Sequence, residues 1–116
     1  MCVLRALIAG HLTDRGLTTG PGQLVITAGA QQGISAAAAC WLRPGDSVVV
    51  EDPCYPGAIA AFAQAGAHLV GVPVDGAGVL PDPLARALAD RPALLYLQPT
   101  VHSPTSAPSH SRTPVR

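Results

Sequence analysis

The stretch Leu42-Arg43-Pro44-Gly45-Asp46-Ser47-Val48-Val49-Val50-Glu51-Asp52-Pro53-Cys54-Tyr55-Pro56-Gly57 decides how this chain folds. Pro44, Gly45 and Asp46 end whatever helix precedes them, since proline brings no backbone donor and glycine and aspartate favour turns. Residues 47–50 then read as a strand in which Val48, Val49 and Val50 are a continuous β-branched run, as expected when both faces are covered. Residues 56–65 read as a helix closed by Gly66. A strand set between two helices by short connections is the unit from which parallel α/β sheets are built.

The same alternation continues outward in both directions. Upstream, Leu4, Leu7, Ile8 and Leu12 recur at helical spacing and Gly16 is a stop signal. Gly20, Pro21 and Gly22 form a turn, residues 24–27 a short apolar strand, and residues 31–42 an alanine-rich helix whose small side chains permit close packing on a sheet. Downstream, residues 68–72 give a third strand, Asp75, Gly76 and Gly78 a turn, residues 81–89 a helix and residues 93–97 a fourth strand. Four strands with three intervening helices predict an α/β fold with a mainly parallel sheet. Beyond Pro99 the periodicity gives way to prolines, serines and threonines. Residues 1–105 are therefore expected to be one domain and residues 106–116 an irregular tail.

Composition narrows the function. The 116 residues are 48% hydrophobic, and seven arginines balance seven acids with no lysine at all. A net charge of zero offers nothing to hold a polyanion or an anionic membrane surface, so no direct nucleic-acid contact and no membrane contact are expected. Cys2, Cys40 and Cys54 are odd in number and widely spaced, which fits reduced thiols in a cytoplasmic protein. His11, His68, His102 and His110 form no metal-site spacing. Residues 1–9 carry one early cation, Arg5, and are cut short by His11, Asp14 and Arg15, unlike a signal peptide. The apolar stretch 33–42 falls well below the roughly 20 residues that cross a bilayer.

Ligands of open parallel sheets sit outside the carboxyl ends of the strands. Three segments fall at such ends: residues 28–32, 51–57 and 98–105. In the first, Thr27-Ala28-Gly29-Ala30-Gln31-Gln32 is a small-residue turn opening a helix, whose N–H groups and positive end suit a phosphate. It is neither G-x-G-x-x-G nor a G-x-x-x-x-G-K phosphate loop.

Taken in order and spacing, residues 24–32, Leu42-Arg43-Pro44-Gly45-Asp46-Ser47-Val48, Glu51-Asp52-Pro53-Cys54-Tyr55-Pro56-Gly57 and the segment 99–105 resemble the large domain of fold-type-I, pyridoxal-phosphate-dependent aminotransferases of class I and II. The doubled glutamine, Asp14-Arg15-Gly16 and the Glu-Asp-Pro-x-Tyr-Pro-Gly run look most like the aminotransferase-like domain of MocR-type transcription regulators. The resemblance implies a partial three-layer large domain and pyridoxal 5′-phosphate as cofactor. It assigns Ala30 and Gln31 to the cofactor phosphate, Tyr55 to stacking on the pyridine ring, and Ser103 to the position where the family has an asparagine donating to the phenolic oxygen. Ser103 is shorter than that asparagine and Ser106 stands where the family has glycine, so weak or absent cofactor binding is expected of this fragment. Glu51 and Asp52 are expected to shape the loop. The family's Schiff-base lysine has no counterpart here, so the chain is expected to have no catalytic residue of its own and to be catalytically incomplete.

The simplest expectation is a fragment of an aminotransferase-like domain whose full-length relatives are homodimers moving amino groups between amino acids and keto acids. A fragment of a MocR-type effector-sensing domain and a small structural or interaction protein are the alternatives. An isolated chain of this kind is expected to fold poorly, with Val48-Val49-Val50 or Leu94-Leu95-Tyr96 as an exposed pairing edge.

Overall fold

The computed structural model describes residues 1–99. It divides into two compact units, Met1–Ala30 and Gln31–Arg116. In the first, helix α1 (Cys2–Asp14) is followed by a short 3-10 turn at Pro21–Gln23, against which it packs. Gly16 follows α1 with φ +91°, Gly16 N–H reaches Thr13 O at 2.9 Å and Leu17 N–H reaches Leu12 O at 3.0 Å. This paired closure satisfies two of the carbonyls that a helix end leaves open.

The second unit carries the sheet. Helix α2 (Ala30–Trp41) starts at the last residue of the first unit, and β1 (Ser47–Asp52), α3 (Pro56–Gln64), β2 (His68–Asp75), β3 (Gly78–Val79), α4 (Pro81–Ala89) and β4 (Leu94–Tyr96) follow. The strand order is β3-β2-β1-β4. β1 runs parallel to both neighbours, Val48 pairing with Leu69 and Leu94, Val49 with Val70 and Leu95, and Val50 with Gly71 and Tyr96. β3 returns antiparallel on β2, making the sheet mixed and mainly parallel. The connection is an Asp turn in which Ala77 N–H donates to Asp75 Oδ1 at 2.7 Å.

β1 is central, and its continuous apolar run has the reason the sequence implied. Val48 and Val50 face a core made by Ala38, Leu42, Cys54, Ala58 and Phe62, joined at its margin by Leu69, Leu94 and Tyr96. Val49 and Glu51 alternate to the opposite face and are buried as well. Phe62 and Tyr96 meet edge to face, their ring centres 5.7 Å apart. Alanines at Ala38 and Ala58 keep the helices close to the sheet.

Three expectations change. Residues 24–27 are not a strand: Leu24 is extended (φ −115°, ψ 132°), yet no ladder forms there among the described residues and Val25 stays exposed. The β-propensity of Leu-Val-Ile-Thr measures fit to a pleated, half-buried surface, and a strand exists only where a neighbour supplies one. The expected strand at 93–97 forms as β4, and the turn after Asp75 forms too, but the sheet gains an unforeseen short strand at Gly78–Val79, because the chain doubles back on β2 before α4. Finally, Val48-Val49-Val50 is no edge, being paired on both sides, whereas Leu94-Leu95-Tyr96 lies at the end of the strand order. Ser103 and the rest of residues 100–116, including the expected tail, lie outside the described residues.

Candidate functional site

Because β1 and β4 are parallel neighbours, the segments that follow them leave from the same end of the sheet. Glu51, near the end of β1, is 3% exposed, and its Oε2 accepts the backbone N–H of Gln98 at 3.1 Å. A buried carboxylate is tolerated where donors meet it, and this bond ties the segment after β4 to β1. Glu51 thus shapes the strand ends.

Past β1 the chain passes Asp52-Pro53, a cis peptide, and reaches Cys54 and Tyr55 before α3 begins at Pro56. Cys54 is buried in the core cluster. Burial pushes its thiol up from the ordinary range, and the carboxylates of Glu51 and Asp52 act in the same direction. Tyr96 is also raised, first by burial and then by Cys54 and Glu51 nearby. Tyr55 caps α3, half-buried and packed against the core, with its carbonyl accepting Ala58 N–H at 3.0 Å and Ile59 N–H at 3.2 Å.

Gln31 stands at the first turn of α2, whose opening residues include no acid. Its Nε2 donates to the carbonyl of Gly57 at 2.9 Å, joining helix starts 26 residues apart. Gly57 has no room for a side chain: a Cβ there would overlap Gln31 Oε1 and lie 2.6 Å from Tyr55 Cε1 and 2.7 Å from Cζ. Of the residues selected from sequence, Gln31 and Tyr55 therefore converge on Gly57. Ala30 opens α2 with its side chain exposed, and Ser103 is outside the described residues. Sequence reasoning missed the Glu51–Gln98 tie and the role of Gly57. The only available signal for either was the Glu-x-x-x-Tyr-x-Gly spacing at the end of a buried strand.

The residues present fit a phosphorylated aromatic ligand in part. A helix N-terminus without acidic residues and a half-exposed tyrosine ring at a strand end match a phosphate and a planar ring. With no lysine in the sequence, no side-chain amine is present to attach a carbonyl cofactor. Among the described residues no group of histidine, cysteine and acidic side chains is arranged to hold a metal, and no helix is long and apolar enough to cross a membrane.

Over 98 residues the chain is 38% identical to the vitamin B6 salvage pathway transcriptional repressor PtsJ of Salmonella typhimurium, a match covering 84% of this chain and 23% of the repressor. It is 38% identical over 99 residues to the HTH-type transcriptional regulator TauR of Rhodobacter capsulatus, covering 83% of this chain and 19% of that protein. Among solved structures, the α-aminoadipate aminotransferase LysN of Thermus thermophilus, complexed with N-(5′-phosphopyridoxyl)-L-leucine, superposes with a TM-score of 0.85 at 33% identity, covering 94% of this chain and 27% of the enzyme. The chain thus spans about a quarter or less of the length of these relatives. It is related both to aminotransferases and to the aminotransferase-like domains of transcription regulators. The sequence profile of aminotransferase class I and II matches residues 3–108, and the chain belongs to that family.

Proposed function

We propose that this chain is the pyridoxal-5′-phosphate-binding portion of an aminotransferase-like domain, able to hold the cofactor noncovalently but not to transfer amino groups by itself. The observation that carries the reading is the convergence of Gln31, from the first turn of α2, and Tyr55, from the end of β1, on Gly57. In relatives that act as enzymes the bound cofactor supplies an electron sink for amino-acid chemistry, with an amino acid and a keto acid as substrates. Here the N–H groups at Ala30 and Gln31 would hold its phosphate, favoured by the helix end. The Tyr55 ring would stack on the cofactor's aromatic ring, while Glu51 holds the segment after β4 through Gln98. Ser103 is the proposed donor to the phenolic oxygen. No side chain of this chain offers the amine that would carry a proton during transfer, since it has no lysine. Unpaired Cys2, Cys40 and Cys54 fit a cytoplasmic setting.

Calorimetric titration of the purified chain with pyridoxal 5′-phosphate tests this reading. Weak saturable binding is expected, with no side-chain adduct; peptide mapping separates any adduct on the α-amino group of Met1. Substituting Tyr55→Ala removes a ring contact worth about 0.5–1.5 kcal/mol and weakens binding roughly two- to tenfold. Exchange between an amino acid and a keto acid faster than with free cofactor would overturn the assignment.

A second reading is favoured by the 38% identity to PtsJ and TauR: the segment belongs to the effector-sensing domain of a transcription regulator. The neighbouring coding sequence decides between them. An adjacent winged-helix region supports the regulator, and adjacent lysine- and arginine-bearing aminotransferase segments without one support an enzyme.

A further inference from the structure

The contact between Gln31 and Gly57 does more than join two helices. The carboxamide straddles Gly57: its Nε2 donates to the Gly57 carbonyl at 2.9 Å, while its Oε1 occupies the space a side chain at position 57 would need. A helical carbonyl has a second lone pair, so it accepts this donor in addition to the helix's own bond. The Tyr55 ring edge borders the same space, 2.6 and 2.7 Å from where a Cβ would stand. Carboxamide and ring thus share one cavity, which exists because residue 57 is glycine.

We propose that Gln31 and Gly57 form a keyed joint that fixes the position of the Tyr55 ring, making the Gln31 side chain a positioning residue for the ring and leaving phosphate binding to the backbone of α2. The part of this inference that concerns cofactor rests on the proposed function; the joint itself does not. Three features support it. Gln31 is exposed, so its carboxamide gains little from burial, and it nonetheless reaches across 26 residues to a backbone acceptor. Pro56 fixes the backbone between Tyr55 and Gly57, so a change at Gly57 is passed to Tyr55. Packing of Tyr55 against the core leaves the ring little room to yield on its other side.

The test uses the full chain labelled with fluorotyrosine. It has two tyrosines, Tyr55 and Tyr96, told apart by Tyr96→Phe. Gln31→Ala is expected to shift the Tyr55 fluorine signal and leave that of Tyr96 in place. Gly57→Ala should shift it further and lower the melting temperature. Combining Gln31→Ala with Gly57→Ala should restore part of that loss, because removing the carboxamide makes room for the methyl group. An unmoved Tyr55 signal in Gln31→Ala, or strictly additive effects in the double variant, would overturn the joint. Should Gly57→Ala fail to fold, Gln31→Ala alone still decides, since it trims an exposed side chain. A binding arm compares pyridoxine 5′-phosphate with pyridoxine, neither of which carries an aldehyde to react with Met1. A positioning role predicts that Gln31→Ala weakens both by the same several-fold factor. Loss confined to the phosphorylated probe would make Gln31 a phosphate donor and refute its positioning role. If the unmodified chain binds neither probe, the cofactor reading fails, while the fluorine signals still judge the joint.

Discussion

At the scale of single residues, the three thiols differ in what surrounds them. Cys2 and Cys40 are exposed, whereas Cys54 is buried among core side chains and held protonated by burial and by the carboxylates of Glu51 and Asp52. The thiolate is the reactive form, so Cys54 must be both shielded and slow. Native-state alkylation with mass mapping is expected to label Cys2 and Cys40 quickly and Cys54 only after denaturation; rapid native labelling of Cys54 would contradict the packing. The same shift has a stability consequence. A group whose folded pKa lies above its unfolded value binds more protons in the folded state over the interval between them, so its contribution is complete below the unfolded value and is lost as pH rises through the folded one. Cys54 and Tyr96 are both raised. Denaturation midpoints should therefore fall as pH rises through and above the ordinary thiol and tyrosine ranges, and Cys54→Ser should not abolish the part due to Tyr96. Sequence marked Tyr55, Gln31 and Glu51 as residues to watch. It could not show that Gln31 reaches Gly57, because a contact spanning 26 residues depends on where two helices start in space.

At the scale of elements, punctuation was the legible part. Pro44, Gly45 and Asp46 read as a stop, and the folded turn uses them: Asp46 Oδ2 accepts Arg43 N–H at 2.8 Å and Gly45 N–H donates to Gly66 O at 2.8 Å. Helices near residues 31–42, 56–65 and 81–89 were placed within a residue or so of α2, α3 and α4 because glycine and proline bound them. Strands 24–27 and 78–79 were misjudged because a ladder needs a partner, which no local window contains. Gly66 gives the sharpest test at this scale. It follows α3 with φ +74°, its N–H bonds to Ala63 O at 3.0 Å, and Ala67 N–H bonds to Phe62 O at 3.1 Å. A Cβ there would also stand 3.2 Å from Pro44, tighter than ordinary packing. Gly66→Ala combines left-handed backbone strain with this crowding and should destabilise the chain by about 1–2 kcal/mol in chemical denaturation. No measurable loss would mean that α3 closes in some other way.

At the scale of the whole molecule, the sheet leaves one edge with consequences for the chain in solution. β4 is only three residues long and lies at the end of the order β3-β2-β1-β4, with Leu95 40% exposed. Leu95 is in register with the fully buried Val49 of β1, so the exposed apolar surface at this edge is that of Leu95 itself. Among the described residues the outer side of β4 has no ladder partner, and such a strand edge beside an exposed apolar side chain is a template for pairing with another chain. Net charge of zero adds no long-range repulsion to oppose it. The chain is therefore expected to self-associate with rising concentration, as sedimentation velocity would show. Leu95→Arg places charge on that surface without adding an amine that could react with a carbonyl cofactor. Its cost is modest, about 1 kcal/mol, because the side chain is already partly in water. The variant should sediment as a monomer at concentrations where the parent chain does not, while keeping its secondary structure by circular dichroism. If parent and variant associate alike, the β4 edge is not the contact. If the parent is monodisperse at all concentrations and melts cooperatively, this segment manages its own edge and the expectation of poor folding is wrong.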